Sequence, residues 1–226
     1  MKKIIVIALV AILSVVSVFA QAAAETQSST TKIVVGATPE PHAALLSLVV
    51  DDLAAQGITL EIKEFTDYVT PNDAVEYGEI DANYFQHIPY LESFNTEHGY
   101  HLVNAGGIHV EPIALYSSKY SSLSDLPNGA VIAIPNDPTN EGRALLLLQS
   151  AGLIKLRADA GLEAIPLDIT ENPKNFKFSE IEAATLPRVL SDVDAPSSME
   201  TMQSQPALWL QEMVSLLKVQ ILHTST

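Results

Sequence analysis

Lys32-Ile33-Val34-Val35-Gly36-Ala37-Thr38 is a β-branched run closed by small residues, and Thr59-Leu60-Glu61-Ile62-Lys63-Glu64-Phe65 alternates apolar with charged side chains. The first reads as a buried strand and the second as a half-exposed one. Between them the segment 41–56 carries Ala44, Leu45, Leu48, Val49 and Leu53 at helical spacing, and Gly57 stops it. Strand, helix, strand at this spacing is a βαβ unit with a right-handed crossover, which sets the fold class as α/β.

Toward the C-terminus, Pro71-Asn72-Asp73 begins a helix that runs to Tyr77, Ile80 to Tyr84 is a short strand, and a second helix covers Ile88 to Glu97. The stretch from His101 to Tyr116 is β-like, broken at Gly106-Gly107 and at Pro112, and a crossover between lobes falls near Glu111 to Ala114. The same grammar then repeats: a turn at 124–129, a buried strand Ala130-Val131-Ile132-Ala133-Ile134, a loop, and a helix from Glu141 to Ala151. Leu145 to Leu148 is apolar all round, so that helix packs on more than one side. Short elements at 162–168 and 176–182 follow, and 191–195 starts another strand. Two such units predict two lobes with a cleft between them, lobe I over 32–112 and lobe II over 113–195.

Toward the N-terminus, Lys2 and Lys3 precede an uncharged apolar run from Ile4 to Phe19, followed by small-x-small sites at Ala20-Gln21-Ala22 and Ala22-Ala23-Ala24. This is the pattern of a secretory signal peptide, placed at 1–24, with a polar linker at 25–31. The apolar run is short for a membrane span. An exported chain is expected, in the periplasm or at the cell surface. With 0 Cys, no lipid anchor, disulfide, thiolate chemistry or cysteine metal site is expected.

The 226 residues are 47% hydrophobic and 17% charged, enough to build a core. A formal net charge of -15 with 12 Lys and Arg argues against nucleic acid, which needs clustered cations. From Pro196 the texture changes: Trp209 and the methionines Met199, Met202 and Met213 all fall in 196–226, where charged residues are sparse. A partial helix over Leu208 to Leu222 is expected there, with Leu210, Val214, Leu217 and Ile221 on one face.

Arg143 is the most specific single candidate for a binding residue. It stands in the first turn after a loop with Asn140 one turn earlier, so its planar guanidinium can grip a carboxylate in two parallel hydrogen bonds near helix-terminal amides. The plain alternative is an ion pair with Glu141 or a surface acid. Phe85, His87 and Tyr90 lie in Ala82-Asn83-Tyr84-Phe85-Gln86-His87-Ile88-Pro89-Tyr90-Leu91 and can line an apolar pocket with a polar rim. On sequence alone a core aromatic cluster explains them better. The histidines, at 42, 87, 98, 101, 109 and 223, include no pair at helical four-residue spacing, so no metal site is expected. The chain contains no G-x-S-x-G, G-x-x-x-x-G-K or G-x-G-x-x-G motif, so no enzyme or cofactor is called for, and a hydrolase is the weakest reading.

Five stretches together carry a resemblance: Gly36-Ala37-Thr38-Pro39-Glu40-Pro41-His42; Glu64-Phe65-Thr66-Asp67-Tyr68-Val69-Thr70-Pro71-Asn72; Asp81 to Leu91; Ile134-Pro135-Asn136-Asp137-Pro138-Thr139-Asn140-Glu141-Gly142-Arg143 on through Leu148; and Glu171-Asn172-Pro173-Lys174-Asn175. They resemble the NlpA-like methionine-binding lipoproteins, solute receptors of bacterial methionine ABC importers, over roughly Lys32 to Ala195. The resemblance implies a two-lobed, type II-like periplasmic binding fold that closes on L-methionine or a related amino acid. It implies that Tyr68, Phe85, His87 and Tyr90 enclose the ligand while Asn140 and Arg143 hold its carboxylate. It also implies an ABC permease with its ATPase as partner.

Two departures are expected to matter. Family members carry a lipidated cysteine, which is lacking here. They also continue past Val193-Asp194-Ala195 with an Asn-x-Asn-Tyr segment and a return to the first lobe, where this chain has 196–226. Pro196-Ser197-Ser198-Met199-Glu200-Thr201-Met202 is what a one-base slip through codons for Ala-Val-Ile-Asn-Gly-Asn-Tyr yields. The expectation is a frame-shifted tail, a missing return to lobe I and uncovered apolar surface there. A degenerate exported surface protein or antigen that no longer binds solute is the competing class.

Overall fold

A computed structural model of the protein describes residues 31–199. The expected signal peptide, most of the linker and the Leu208 to Leu222 helix lie outside the described residues; Thr31, the last linker residue, opens the first strand.

The first sheet has the order β2-β1-β3, built from β1 (Thr31–Ala37), β2 (Ile58–Glu64) and β3 (Ala82–Tyr84). Both pairings are parallel, with Ile33 opposite Leu60 and Gly36 opposite Asn83. Because β2 and β3 flank β1 on opposite sides, the strand order switches at β1, and the crevice outside the C-terminal end of β1 is the usual ligand position in open α/β sheets. The second sheet, β4-β9-β5-β8, repeats the plan. Its central strand β5 (Val131–Pro135) lies parallel to β8 (Lys177–Ile181) and to β9 (Ala195–Ser198), while β4 (Ala114–Leu115) runs antiparallel to β9 at the edge. A separate hairpin pairs β6 (Lys155–Leu156) with β7 (Ile169–Glu171). β9 runs through Pro196, Ser197 and Ser198, all buried, so the strand continues past the Ala195 boundary drawn from the sequence.

Helices α1 (Ala44–Ser47), α2 (Val50–Ala55), α3 (Thr70–Glu76), α4 (Ile88–His98) and α5 (Pro138–Ser150) connect these strands. Pro71, Pro89 and Pro138 stand in the first turns of α3, α4 and α5, where a missing N–H costs nothing and the fixed φ favours initiation. Gly99 ends α4 at φ 69°, a left-handed cap. Leu145 and Leu148 of α5 are 0% and 1% exposed and join Leu126, Ile132, Ile134 and Phe176 in the main core. Each such side chain contributes about 1.5–3 kcal/mol by leaving water.

Three expectations need correction, in the first lobe and at its boundary with the second. The single helix over 41–56 is instead the two short helices α1 and α2, preceded by a turn at Pro39–Ala43. The β-like stretch 101–116 forms only the two-residue β4. β1 is not a buried strand, since Ile33, Val34 and Val35 are half-buried. The common cause is missing cover among the described residues. Leu48 is 74% exposed, Val103 86% and Val110 90%, and a short helix or strand with no packed apolar face gains little from burial.

Candidate functional site

The loops that leave β3 and β5 at their C-terminal ends bring the two lobes together. After β3 ends at Tyr84, Phe85-Gln86-His87 leads directly into α4; after β5 ends at Pro135, Asn136 and Asp137 lead into α5. Each loop ends in a side-chain cap. The Tyr90 N–H donates to His87 Nδ1 at 3.1 Å, and the Asn140 N–H donates to Asp137 Oδ1 at 3.0 Å. These caps fix where His87 and Asn140 point.

Because His87 Nδ1 accepts from a backbone N–H, the ring proton sits on Nε2, which donates to Asn140 Oδ1 at 2.8 Å. That oxygen also accepts from Arg143 Nη1 at 2.9 Å, and Asn140 Nδ2 donates to Asp137 Oδ2 at 3.1 Å. Arg143 Nη2 donates to the Glu111 carbonyl at 2.7 Å, and Nη1 reaches the Met199 thioether at 2.9 Å. Among the described residues the guanidinium thus meets neutral acceptors and no carboxylate within ion-pair distance. The ion pair with Glu141 considered above does not form. Burial is the main influence on both basic groups. It holds His87 below the ordinary imidazole value, helped by the nearby Arg143 charge, and it lowers Arg143.

On the other side of His87 lies an aromatic wall. Tyr68 lies 5.6 Å from Phe85 and 6.3 Å from Tyr90 between ring centroids, and Tyr90 lies 6.3 Å from His87. The Tyr90 hydroxyl donates to the Tyr68 carbonyl at 2.8 Å, tying the α4 ring to the loop before α3. Desolvation raises the Tyr90 phenol, so it stays protonated and a donor. Tyr68, Phe85, His87, Tyr90, Asn140 and Arg143 therefore form one continuous group. Phe85 and Tyr90 are at the same time core residues, packed with Phe94. Two surface clefts, of about 730 and 170 Å³, lie elsewhere: the larger runs between α4 and the 160–163 segment, and neither is lined by any of the six.

Several residues that sequence reasoning missed hold this group in place. Asp137 orients Asn140, Glu111 receives Arg143 through its main chain, and Met199 lies on the guanidinium. Behind the aromatic loop, Asn72, Asn83 and Gln86 share an amide network, with Gln86 Nε2 donating to Asn72 Oδ1 at 2.6 Å and Asn83 Nδ2 donating to the same oxygen at 2.8 Å. Asn72 is 0% exposed, so these bonds satisfy amides that burial would otherwise penalise. Their signal was present in the Pro71-Asn72 and Asn83-to-Gln86 motifs, where buried amides at a strand end mark a constrained loop.

The sequence profile of the NlpA lipoprotein family matches residues 33–216. The chain belongs to that family. The NlpA match passes Ala195 and covers part of the segment set apart above as a tail. Membrane lipoprotein TpN32 of Treponema pallidum (strain Nichols) is 50% identical over 169 residues, 75% of this chain and 63% of its own length. The D-methionine-binding lipoprotein MetQ of Escherichia coli (strain K12) is 54% identical over 136 residues, 60% of this chain and 50% of its own. The chain thus spans about half to two thirds of the curated relatives it matches. A nutrient-binding protein from Burkholderia cenocepacia, solved bound to methionine, superposes with a TM-score of 0.70 at 51% identity, over 74% of this chain and 70% of that one. An ABC transporter periplasmic substrate-binding protein from Coxiella burnetii also superposes with a TM-score of 0.70 at 40% identity, over 78% of this chain and 77% of that one, so the NlpA fold is that of periplasmic substrate-binding proteins, with the two sheets as its two lobes.

Proposed function

We propose that this chain is the solute receptor of a bacterial ABC importer, held in the periplasm or at the cell surface, and that its ligand is methionine, L- or D-. The observation that carries the proposal is Arg143: a largely buried guanidinium at a helix start, meeting only neutral acceptors among the described residues, next to an aromatic wall. Desolvating a cation without a counter-charge is unfavourable, so a site of this kind gains from an anionic ligand. A carboxylate takes the place of the Met199 thioether, a weak acceptor, while the ligand's own thioether lies against Tyr68, Phe85 and Tyr90. The relatives that bind methionine support the same assignment. The role assigned is binding and delivery to a permease with its ATPase, not catalysis. His87 and His109 spend their ring nitrogens on Asn140, Tyr90, Tyr84 and Glu111 rather than on a serine nucleophile.

Calorimetric titration of the purified chain with L- and D-methionine tests this. Saturable one-to-one binding is expected, and Arg143→Ala weakens it by about 30-fold or more, the equivalent of about 2 kcal/mol for unpairing a buried charge. No heat from a chain that melts cooperatively refutes it. That result favours the second reading, an exported surface protein that does not bind solute. The exposure of Leu48, Val103, Ile108 and Val110, together with Met199 on the guanidinium, supports that alternative.

A further inference from the structure

Behind the carboxylate clamp, three side chains from distant parts of the sequence converge on one point. His42 Nε2 lies 3.2 Å and His109 Nε2 2.7 Å from the same oxygen, Glu111 Oε1. The three candidate ligand atoms all lie within 4.8 Å of one another. The remaining nitrogen of each ring is held by a hydroxyl: His42 Nδ1 by Thr38 Oγ1 at 2.6 Å, and His109 Nδ1 by Tyr84 OH at 2.7 Å. We infer that His42, His109 and Glu111 form a binding site for a divalent transition-metal ion of the zinc type.

Two imidazole nitrogens and one carboxylate oxygen make a donor set that zinc accepts in open, three-protein-ligand sites. The Nε2–O separations are close to what ligands share around one small ion, at about 2.0–2.2 Å from each donor, whereas the three atoms spread to 4.8 Å, so the two imidazoles must close on each other by about 1 Å for one ion to reach both. The hydroxyl partners matter for a second reason. Without metal, both Nε2 atoms carry the proton and donate to Glu111, while Nδ1 accepts from the hydroxyl. When the ion binds, each proton moves to Nδ1 and the hydroxyl turns from donor to acceptor, a reversal open to Thr and Tyr but closed to a backbone carbonyl. The orienting outer bond found in histidine metal sites is kept. His42 is buried, at 5% exposure, and fixes one wall. The His109 and Glu111 side chains are 27% and 22% exposed, leaving an entry path and a fourth position for water. The Glu111 carbonyl accepts from Arg143, so the ion would pin the segment on which the clamp rests.

The site stands apart from the methionine reading, because it is read with the metal alone. Titrating the chelator-stripped full chain with zinc chloride is expected to give one saturable ion per chain. Glu111→Gln and His109→Gln each weaken it at least about tenfold. His101→Gln, at a side chain 87% exposed that pairs with Glu76 and not with the cluster, leaves it unchanged. Absence of saturable binding, or wild-type affinity in both ligand variants, overturns the site. Should either variant fail to fold, carbethoxylation of the wild-type chain mapped by mass spectrometry decides. Zinc protection of His109 with no protection of His101 supports the site, and equal modification of His109 with and without zinc refutes it.

Discussion

Glu141 offers the sharpest test of the electrostatics around α5. It sits in the first turn of the helix, is 5% exposed, and its Oε1 has no hydrogen-bond partner among the described residues. Burial first, then the negative charges of Glu180 and Asp137, push its pKa from the ordinary 4.5 up to about 7. The folded state therefore holds the proton more tightly than the unfolded chain. Stability present below pH 4.5 is lost as pH rises through about 7. A shift of that size corresponds to about 3 kcal/mol. The positive end of α5 opposes it, favouring the ionised form by about 0.3–1 kcal/mol, up to about 2 when partly buried. A net loss of about 1–3 kcal/mol across the window is expected. Glu141→Gln keeps the shape and removes the titration, so the stability difference, variant minus wild type, should grow by that amount between pH 4.5 and pH 7 and then level off. Urea denaturation followed by circular dichroism at stepped pH measures it. Any fixed offset from the new amide cancels, because only the slope is compared. Parallel curves for the two proteins would refute the reasoning.

Two further substitutions probe how the clamp is built. At Gly142, an added Cβ lies well inside contact distance of the Leu162 carbonyl, a backbone neighbour that cannot rotate away. Gly142→Ala should therefore destabilise by about 1–3 kcal/mol, outweighing the roughly 1 kcal/mol that alanine gains as a helix former; equal or higher stability in denaturant melts would disprove the close approach. Asp137→Ala removes the α5 cap and the anchor of Asn140, so a loss of about 0.5–2 kcal/mol in stability should accompany weaker methionine binding, with Asp137→Asn recovering most of the stability.

Local pattern and long-range assembly were unequally legible. The βαβ grammar placed β1, β2, β3, β5, α3, α4 and α5 within a few residues, because period and proline starts are properties of adjacent residues. The segments that went wrong, 41–56 and 101–113, are those whose form depends on a partner. Val103 and Val110 have strand propensity, yet no described strand lies beside them, and propensity without a ladder does not make a strand. For the site, motif spacing supplied Asn140 and Arg143 as a helix-start pair, whereas Glu111 acts through its main-chain carbonyl, which no side-chain pattern encodes. Helical spacing and local zinc motifs do not reveal His42 and His109 as a pair, because they are far apart in sequence. Their convergence is made by the first sheet, through the turn after β1 and Tyr84 at the end of β3.

The charges around the clamp bear on what kind of carboxylate it would take. Asp137 and Glu111 both exert an attractive field on Arg143, and both also act on His87. A simple carboxylate bound at Arg143 therefore gains one cation but approaches two fixed anions. At an effective dielectric of 20, a single repulsion over about 6 Å is worth about 3 kcal/mol, comparable with the attraction itself. The positive ends of α4 and α5 offset part of this, each acting as about half a charge. An α-ammonium on the same ligand offsets the rest, so the arrangement favours a zwitterion over a bare acid of equal shape. Methionine should bind at least about tenfold more tightly than its des-amino analogue 4-(methylthio)butanoate, a difference of about 1.4 kcal/mol. Methioninol, which keeps the ammonium and lacks the carboxylate, should also be weak, since it brings no anion to Arg143. Calorimetry with all three ligands in the presence of chelator makes the comparison. If the des-amino acid binds as tightly as methionine, Asp137 and Glu111 do not shape the field at the clamp, and its selectivity resides in the aromatic wall alone.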